Sequence, residues 1–198
     1  MPVALSASQI YTLSLQQIAA ESFLDYAQQS GFQGTQLETA LRLGSNNVAV
    51  AEYAANPGQE VLPGKTRMTD QQIADFTANN EIIAHQANTA SGFSGTLFQR
   101  VTRNASGVVT SRGAFTLSFR STEFADESQG GDWFRDGVSG ADGEMKTYRF
   151  ALAQLADAEA FFRKLKTDAK LPGNASYNVT GYSLGGHLAS VFTPCVPI

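Results

Sequence analysis

The stretch Tyr177-Asn178-Val179-Thr180-Gly181-Tyr182-Ser183-Leu184-Gly185-Gly186-His187-Leu188-Ala189 restricts what this chain can fold into more than any other. Residues up to Gly181 predict the end of a strand, and a helix of small residues starts at Leu184, so Tyr182 and Ser183 must make the whole turn between them. In the G-x-S-x-G pattern the two glycines stand where strand and helix backbones approach too closely for a Cβ, here Gly181 and Gly185. The turn lifts the Ser183 hydroxyl above the sheet edge, while the Leu184 N–H and the positive end of the new helix face any negative charge that develops there. Ser183 is therefore the candidate nucleophile and Leu184 one oxyanion donor; a turn with no chemistry is the alternative.

The strand of the turn needs a sheet to join. Thr96–Thr102 and Gly113–Phe119 alternate as strands around the turn residues Asn104-Ala105-Ser106-Gly107, which predicts an antiparallel hairpin. Thr147–Lys170 carries Tyr148, Leu152, Leu155, Ala158, Phe161, Phe162 and Leu165 at helical spacings, and Leu171-Pro172-Gly173 stops it. Strand, long helix and strand predict a right-handed βαβ crossover and a parallel sheet. Upstream, Thr12–Gln29 predicts a helix stopped by Gly31, and Gln36–Leu43 a second one ended by Gly44. Residues 55–65 read as a surface excursion. Thr69 or Asp70 caps a helix through about Asn79 with Ile73 and Phe76 facing the core. His85 falls in a last turn or a strand, where a buried or solvated ring is the expectation. The chain is expected to be one α/β domain over 1–198, with residues 1–90 mainly helical and 91–198 holding the sheet and the Ser183 turn.

Composition removes several classes of function. A net charge of −4 and a pI near 5.1 argue against a nucleic-acid partner. Cys195 is the only cysteine, so no internal disulfide is expected. No stretch reaches the roughly 20 apolar residues of a membrane span, and Met1–Ile10 lacks the basic start and long apolar run of a signal peptide.

Phe119-Arg120-Ser121-Thr122-Glu123, then Asp132-Trp133, then Gly181-Tyr182-Ser183-Leu184-Gly185-Gly186 resembles the class 3 lipases of the α/β-hydrolase superfamily. The resemblance implies a mixed, mostly parallel sheet with flanking helices, and a serine ester hydrolase acting on a lipid or ester through an acyl-enzyme. It also implies that Thr122 is the second oxyanion donor. The family usually has glycine where Ser121 stands, so either Thr122 is displaced or Ser121 shares the role. The segment Phe124–Gly131 lies where the family carries a lid; a solvated connection is the plain alternative, and Trp133 is expected as a core anchor. From Leu5-Ser6-Ala7-Ser8-Gln9-Ile10-Tyr11 onward the chain is similar to the N-terminal lipase region of bacterial RTX-type secreted lipases. That similarity implies secretion, with calcium-binding glycine-rich repeats downstream, of which Gly130-Gly131-Asp132 is one short match. The isolated chain, with no visible signal peptide, would stay in the cytoplasm. The chemistry needs no metal or organic cofactor; calcium would come only with a longer parent.

Serine needs a base, and the base an orienting acid. In the α/β-hydrolase order these follow the serine as Asp or Glu and then His. Beyond Ser183 there is one histidine, His187, and no Asp or Glu. His187 stands one turn along the same helix, where packing is expected and a role as base is the alternative. Asp126, Asp132 and Asp136 precede the serine and would break the order. Together with Pro194-Cys195-Val196-Pro197-Ile198, this reads as truncation after the nucleophile helix, leaving Tyr177–Gly181 as a sheet edge that invites self-association. Two functions follow: a serine ester hydrolase, or a catalytically silent fragment that binds acyl ligands or associates with other chains. Acyl transfer to another acceptor and peptide hydrolysis share the same turn.

Overall fold

Two capping boxes start the helices that cover one face of the sheet. The computed structural model describes residues 4–61, 63–64, 66–122 and 140–195, the last three by backbone alone. Helix α1, Ala7–Glu21, begins at Ser6, whose Oγ accepts from the Gln9 N–H while the Gln9 side chain accepts from the Ser6 N–H. Thr69 and Gln72 repeat the arrangement at α5, Asp70–Asn79. Between them lie α2 (Asp25–Gln28), α3 (Gly34–Leu43) and α4 (Asn47–Ala55), the last capped by Asn46. Gly44 ends α3 as expected, at φ +65° and with the Thr66 carbonyl so close that a Cβ would meet it at 1.8 Å.

The first helix differs from expectation at both ends. It starts earlier, because the Ser6–Gln9 box caps it, and it breaks at Ser22, whose backbone is extended and after which the Phe23 N–H donates to the Gly44 carbonyl. The remainder of the expected span forms only the single turn of α2. The segment Asn47–Ala55, which carries no expected element, is a helix held by its asparagine cap and by burial of Ala49 and Val50.

Strands β1 (Asn80–Gln86), β2 (Gly95–Arg103), β3 (Val109–Phe119) and β4 (Tyr177–Gly181) form a 4-stranded sheet in sequence order. β1–β2 and β2–β3 pair antiparallel and β3–β4 parallel. The expectation of a mostly parallel sheet is therefore wrong for this chain. The reason lies in the connections. Residues 87–94 and 104–108 are too short to carry the chain back across the sheet, and only the long stretch between β3 and β4 can do so. β1 also falls inside the region expected to be mainly helical.

That long connection contains α6 (Ala141–Tyr148) and α7 (Leu152–Thr167), which replace the single expected helix Thr147–Lys170. Arg149, in the left-handed region at φ +70°, caps α6 and redirects the chain. Helix α8, Leu184–Cys195, follows β4.

The sheet lies between two helical layers. Successive residues of β2 enter opposite cores: Leu97 packs with Phe119, Phe161, Phe162, Leu188 and Phe192 under α7 and α8. Phe98 packs with Leu15, Leu41, Ile73 and Phe76 under α1, α3 and α5. Ile73 and Phe76 are thus buried as expected. Phe119 is fully buried and meets Phe93 and Phe192 edge-on, with ring centroids 5.6 Å and 5.3 Å apart. Truncating it to alanine should leave a cavity at the joint of β3 and α8 and cost about 3–5 kcal/mol, read as a lower urea midpoint at unchanged m-value.

Candidate functional site

The parallel pair β3–β4 ends with Phe119 opposite Gly181, so the residues that follow both strands emerge at one edge of the sheet. On β4 the chain turns at once into α8. Ser183 makes the turn at φ +51°, a backbone region that side chains with a Cβ rarely enter. Its carbonyl accepts from the His187 N–H at 3.1 Å, closing the first turn of the helix.

The glycines around Ser183 are there for close backbone approach. A Cβ on Gly181 would lie 1.9 Å from the Gly185 carbonyl oxygen, and one on Gly185 would lie 2.3 Å from the Phe119 oxygen and 2.8 Å from that of Arg120. Gly186 has more room, with the Gly181 oxygen at 3.2 Å from its would-be Cβ. The start of α8 therefore rests directly on the tips of β3 and β4. Ser183 is exposed there and Leu184 buried. The Leu184 N–H belongs to the first turn of α8, whose amides have no carbonyl before them in the helix.

Thr122 lies two residues beyond the Arg120 carbonyl that abuts Gly185, and it is half-buried. Ser121 is turned inward. Its N–H lies 3.2 Å from both carboxylate oxygens of Glu21 on α1, and its hydroxyl donates to Oε2 at 2.6 Å. The Gln17 amide nitrogen donates to the same carboxylate at 2.7 Å and to the Phe119 carbonyl at 3.1 Å. The Gln17 amide oxygen accepts from Ser118 at 2.7 Å, and Ser118 accepts from Thr180 of β4 at 2.9 Å. These groups were invisible to sequence reasoning. The one signal was Glu21 itself, the lone charge in α1.

His187 is half-buried, its ring 6.4 Å from that of Phe150. Among the described residues, no hydrogen bond joins its ring to the Ser183 hydroxyl. His85 is in a strand, its side chain fully buried on β1 and separated from β4 by two strands, in a row with Thr96, Ser118 and Thr180. Its Nδ1 meets the Thr96 hydroxyl at 2.9 Å and its Nε2 lies 3.4 Å from Asp25. Glu123, the lid segment Phe124–Gly131, Asp126, Asp132, Trp133 and Asp136 lie outside the described residues.

Burial governs the ionisation of this polar layer. It raises the pKa of Glu21, against the hydrogen bonds from Ser121 and Gln17 and the charge of Arg120. It lowers that of His85, against the pull of Asp25, so the imidazole is neutral at neutral pH. Burial also opposes ionisation of Asp25, but the His85 hydrogen bond and the Arg120 charge carry its pKa below the ordinary value. Among the described residues there is no cluster of three or more metal-ligating side chains and no helix long and apolar enough to cross a membrane. A cleft of about 450 Å³ opens beside Phe32, Asn80, Glu81 and Arg103, at the opposite end of the sheet from Ser183.

A scan of protein-family models finds no match to this chain, and searches of curated proteins and of solved structures find none either.

Gly185→Ala should cost about 3 kcal/mol or more, because the Phe119 and Arg120 backbone blocks the methyl; Gly173→Ala, where a Cβ meets nothing within 4 Å, is the neutral control in the same urea titration. The dependence of stability on pH should separate the two buried groups. With its pKa raised, Glu21 contributes stability that is fully present below the ordinary carboxyl value and lost as pH rises through the folded one. With its pKa lowered, His85 contributes stability present above the ordinary histidine value and lost as pH falls toward the folded one. Unfolding free energies over about pH 4 to 8 should lose the first slope in Glu21→Gln and the second in His85→Gln.

Proposed function

We propose that this chain carries the nucleophile and oxyanion site of a serine ester hydrolase of the α/β-hydrolase kind. The observation that carries the proposal is Ser183 at φ +51° on a strand-to-helix turn, with Gly181 and Gly185 packed backbone to backbone around it. Strain of this sort costs about 1–3 kcal/mol and persists where the surroundings hold it.

In the proposed reaction Ser183 Oγ attacks the carbonyl carbon of a lipid or simple ester, giving up its proton to a base. The carbonyl oxygen becomes an oxyanion, held by the N–H groups of Leu184 and Thr122. Collapse expels the alcohol, which takes that proton, and leaves an acyl group on Ser183; water then releases the acid and restores the hydroxyl. Tyr182, 63% exposed beside the serine, and Phe150, exposed beside His187, offer apolar surface to the acyl group. Neither metal nor organic cofactor has a step in this scheme. The resemblance to RTX-type lipases supports a secreted enzyme, with calcium bound elsewhere in a longer protein.

A second reading is a catalytically silent chain that binds acyl ligands or associates with its own copies. Two observations among the described residues favour it: no base is bonded to Ser183, and β4 has a strand neighbour on one side only.

Hydrolysis of a short-chain nitrophenyl ester separates the two. The esterase should turn over and lose its activity in Ser183→Ala. His187→Gln should keep its rate within about threefold if the ring only packs, whereas a loss of about 10²–10⁴-fold would make His187 the base. Background rates in both wild type and Ser183→Ala, with sedimentation that depends on concentration, would establish the silent, associating chain instead.

A further inference from the structure

Helix α1 carries its only charge, Glu21, at the position least suited to it. A carboxylate on the last residue meets the negative end of the helix dipole, and no basic residue stands in that turn. It is also only 3% exposed, which disfavours the ionised form further. A group that breaks local preferences in this way is held by something outside its own element.

What holds it is the end of the oxyanion strand. Glu21 takes the N–H and the hydroxyl of Ser121, the residue immediately before Thr122, and shares Gln17 with the Phe119 carbonyl. Through Gln17 and Ser118 the same chain of hydrogen bonds reaches Thr180 on β4, three residues before Ser183. The charge that faces the carboxylate is that of Arg120, which is buried and also acts on Asp25 and His85. Both strands that bring functional groups to the sheet edge are thus tied to one carboxylate on a helix that contributes nothing to the reaction directly. The serine in place of the family's glycine has a use in this arrangement, since its hydroxyl makes the shortest hydrogen bond to Glu21 among the described residues, at 2.6 Å.

We propose that Glu21 is a positioning residue for acyl transfer at Ser183, acting through Ser121 to fix the peptide that presents the Thr122 N–H. The role rests on the esterase reading above. An oxyanion donor acts on the transition state, so loss of its position lowers kcat and leaves KM alone.

The test is a double-mutant cycle on the full chain with Glu21→Gln, Ser121→Ala and their combination, beside Ser183→Ala. Active serines are counted with a fluorophosphonate, so that kcat refers to folded sites only. Glu21→Gln should lower kcat roughly tenfold with KM within about twofold. Ser121→Ala should act alike, and the double variant should be no slower than the worse single one. Wild-type kcat in Glu21→Gln, or losses that multiply in the double variant, would overturn the proposal. Should Glu21→Gln fail to fold, Ser121→Ala and Ser121→Gly decide alone, and full kcat in both overturns it. Background rates in wild type and Ser183→Ala alike would instead overturn the esterase reading, and this role with it.

Discussion

The contact of backbone on backbone between the start of α8 and the tips of β3 and β4 is what the rest of this molecule depends on. With Gly185 against the Phe119 and Arg120 carbonyls and Gly181 against Gly185, no side chain separates helix from strands. The turn between them must then be made in two residues, and Ser183 is forced into the left-handed region. The strain is confined because both sides of the turn are anchored. Leu188 and Phe192 on α8 are buried against Phe119, Leu117 and Phe162, so the helix cannot move away to relax the serine.

The two faces of the sheet do different work. The face under α7 and α8 is closed by interlocked aromatic rings, and its contribution is apolar burial. The face under α1 is polar where β3 and β4 end: Ser118, Thr180, Gln17, Glu21 and Ser121 form a chain of directional bonds. Directional bonds define position where apolar packing tolerates sliding, since each buried donor or acceptor loses its partner if a strand moves. A slip of one residue in β3 would also exchange the faces of Ser118 and Phe119, burying the hydroxyl among rings. The polar face therefore sets the register that brings Phe119 opposite Gly181, and with it the common edge at which Thr122 and Ser183 appear.

The Ser183 turn, the helix capped at Thr69 and the hairpin of β2 and β3 were legible in the sequence, because each is decided by residues close together along the chain. A turn made in two residues between glycines has few ways to form, and a Thr–Gln capping box closes within one helical turn. The candidate site was legible only in the same sense, as a set of neighbouring residues. Ser183 and Leu184 are neighbours, whereas Thr122 was placed by resemblance to a family. The partner of Ser121, Glu21 on α1, had no local signal that tied the two together.

By itself, then, the sequence determined a strand-to-helix turn around an exposed serine, an acidic chain of α/β class, and a crossover before the turn. The tertiary structure decided the direction of the strands, the break of the crossover helix at Arg149 and the inward turn of Ser121. Strand direction follows from which connections are long enough to cross the sheet, and only their sum over the chain reveals it. The bonds of Gln17 to Phe119 and of Glu21 to Ser121 join residues 102 and 100 positions apart. No local periodicity encodes such a meeting, because it exists only once α1 has been packed across the finished sheet.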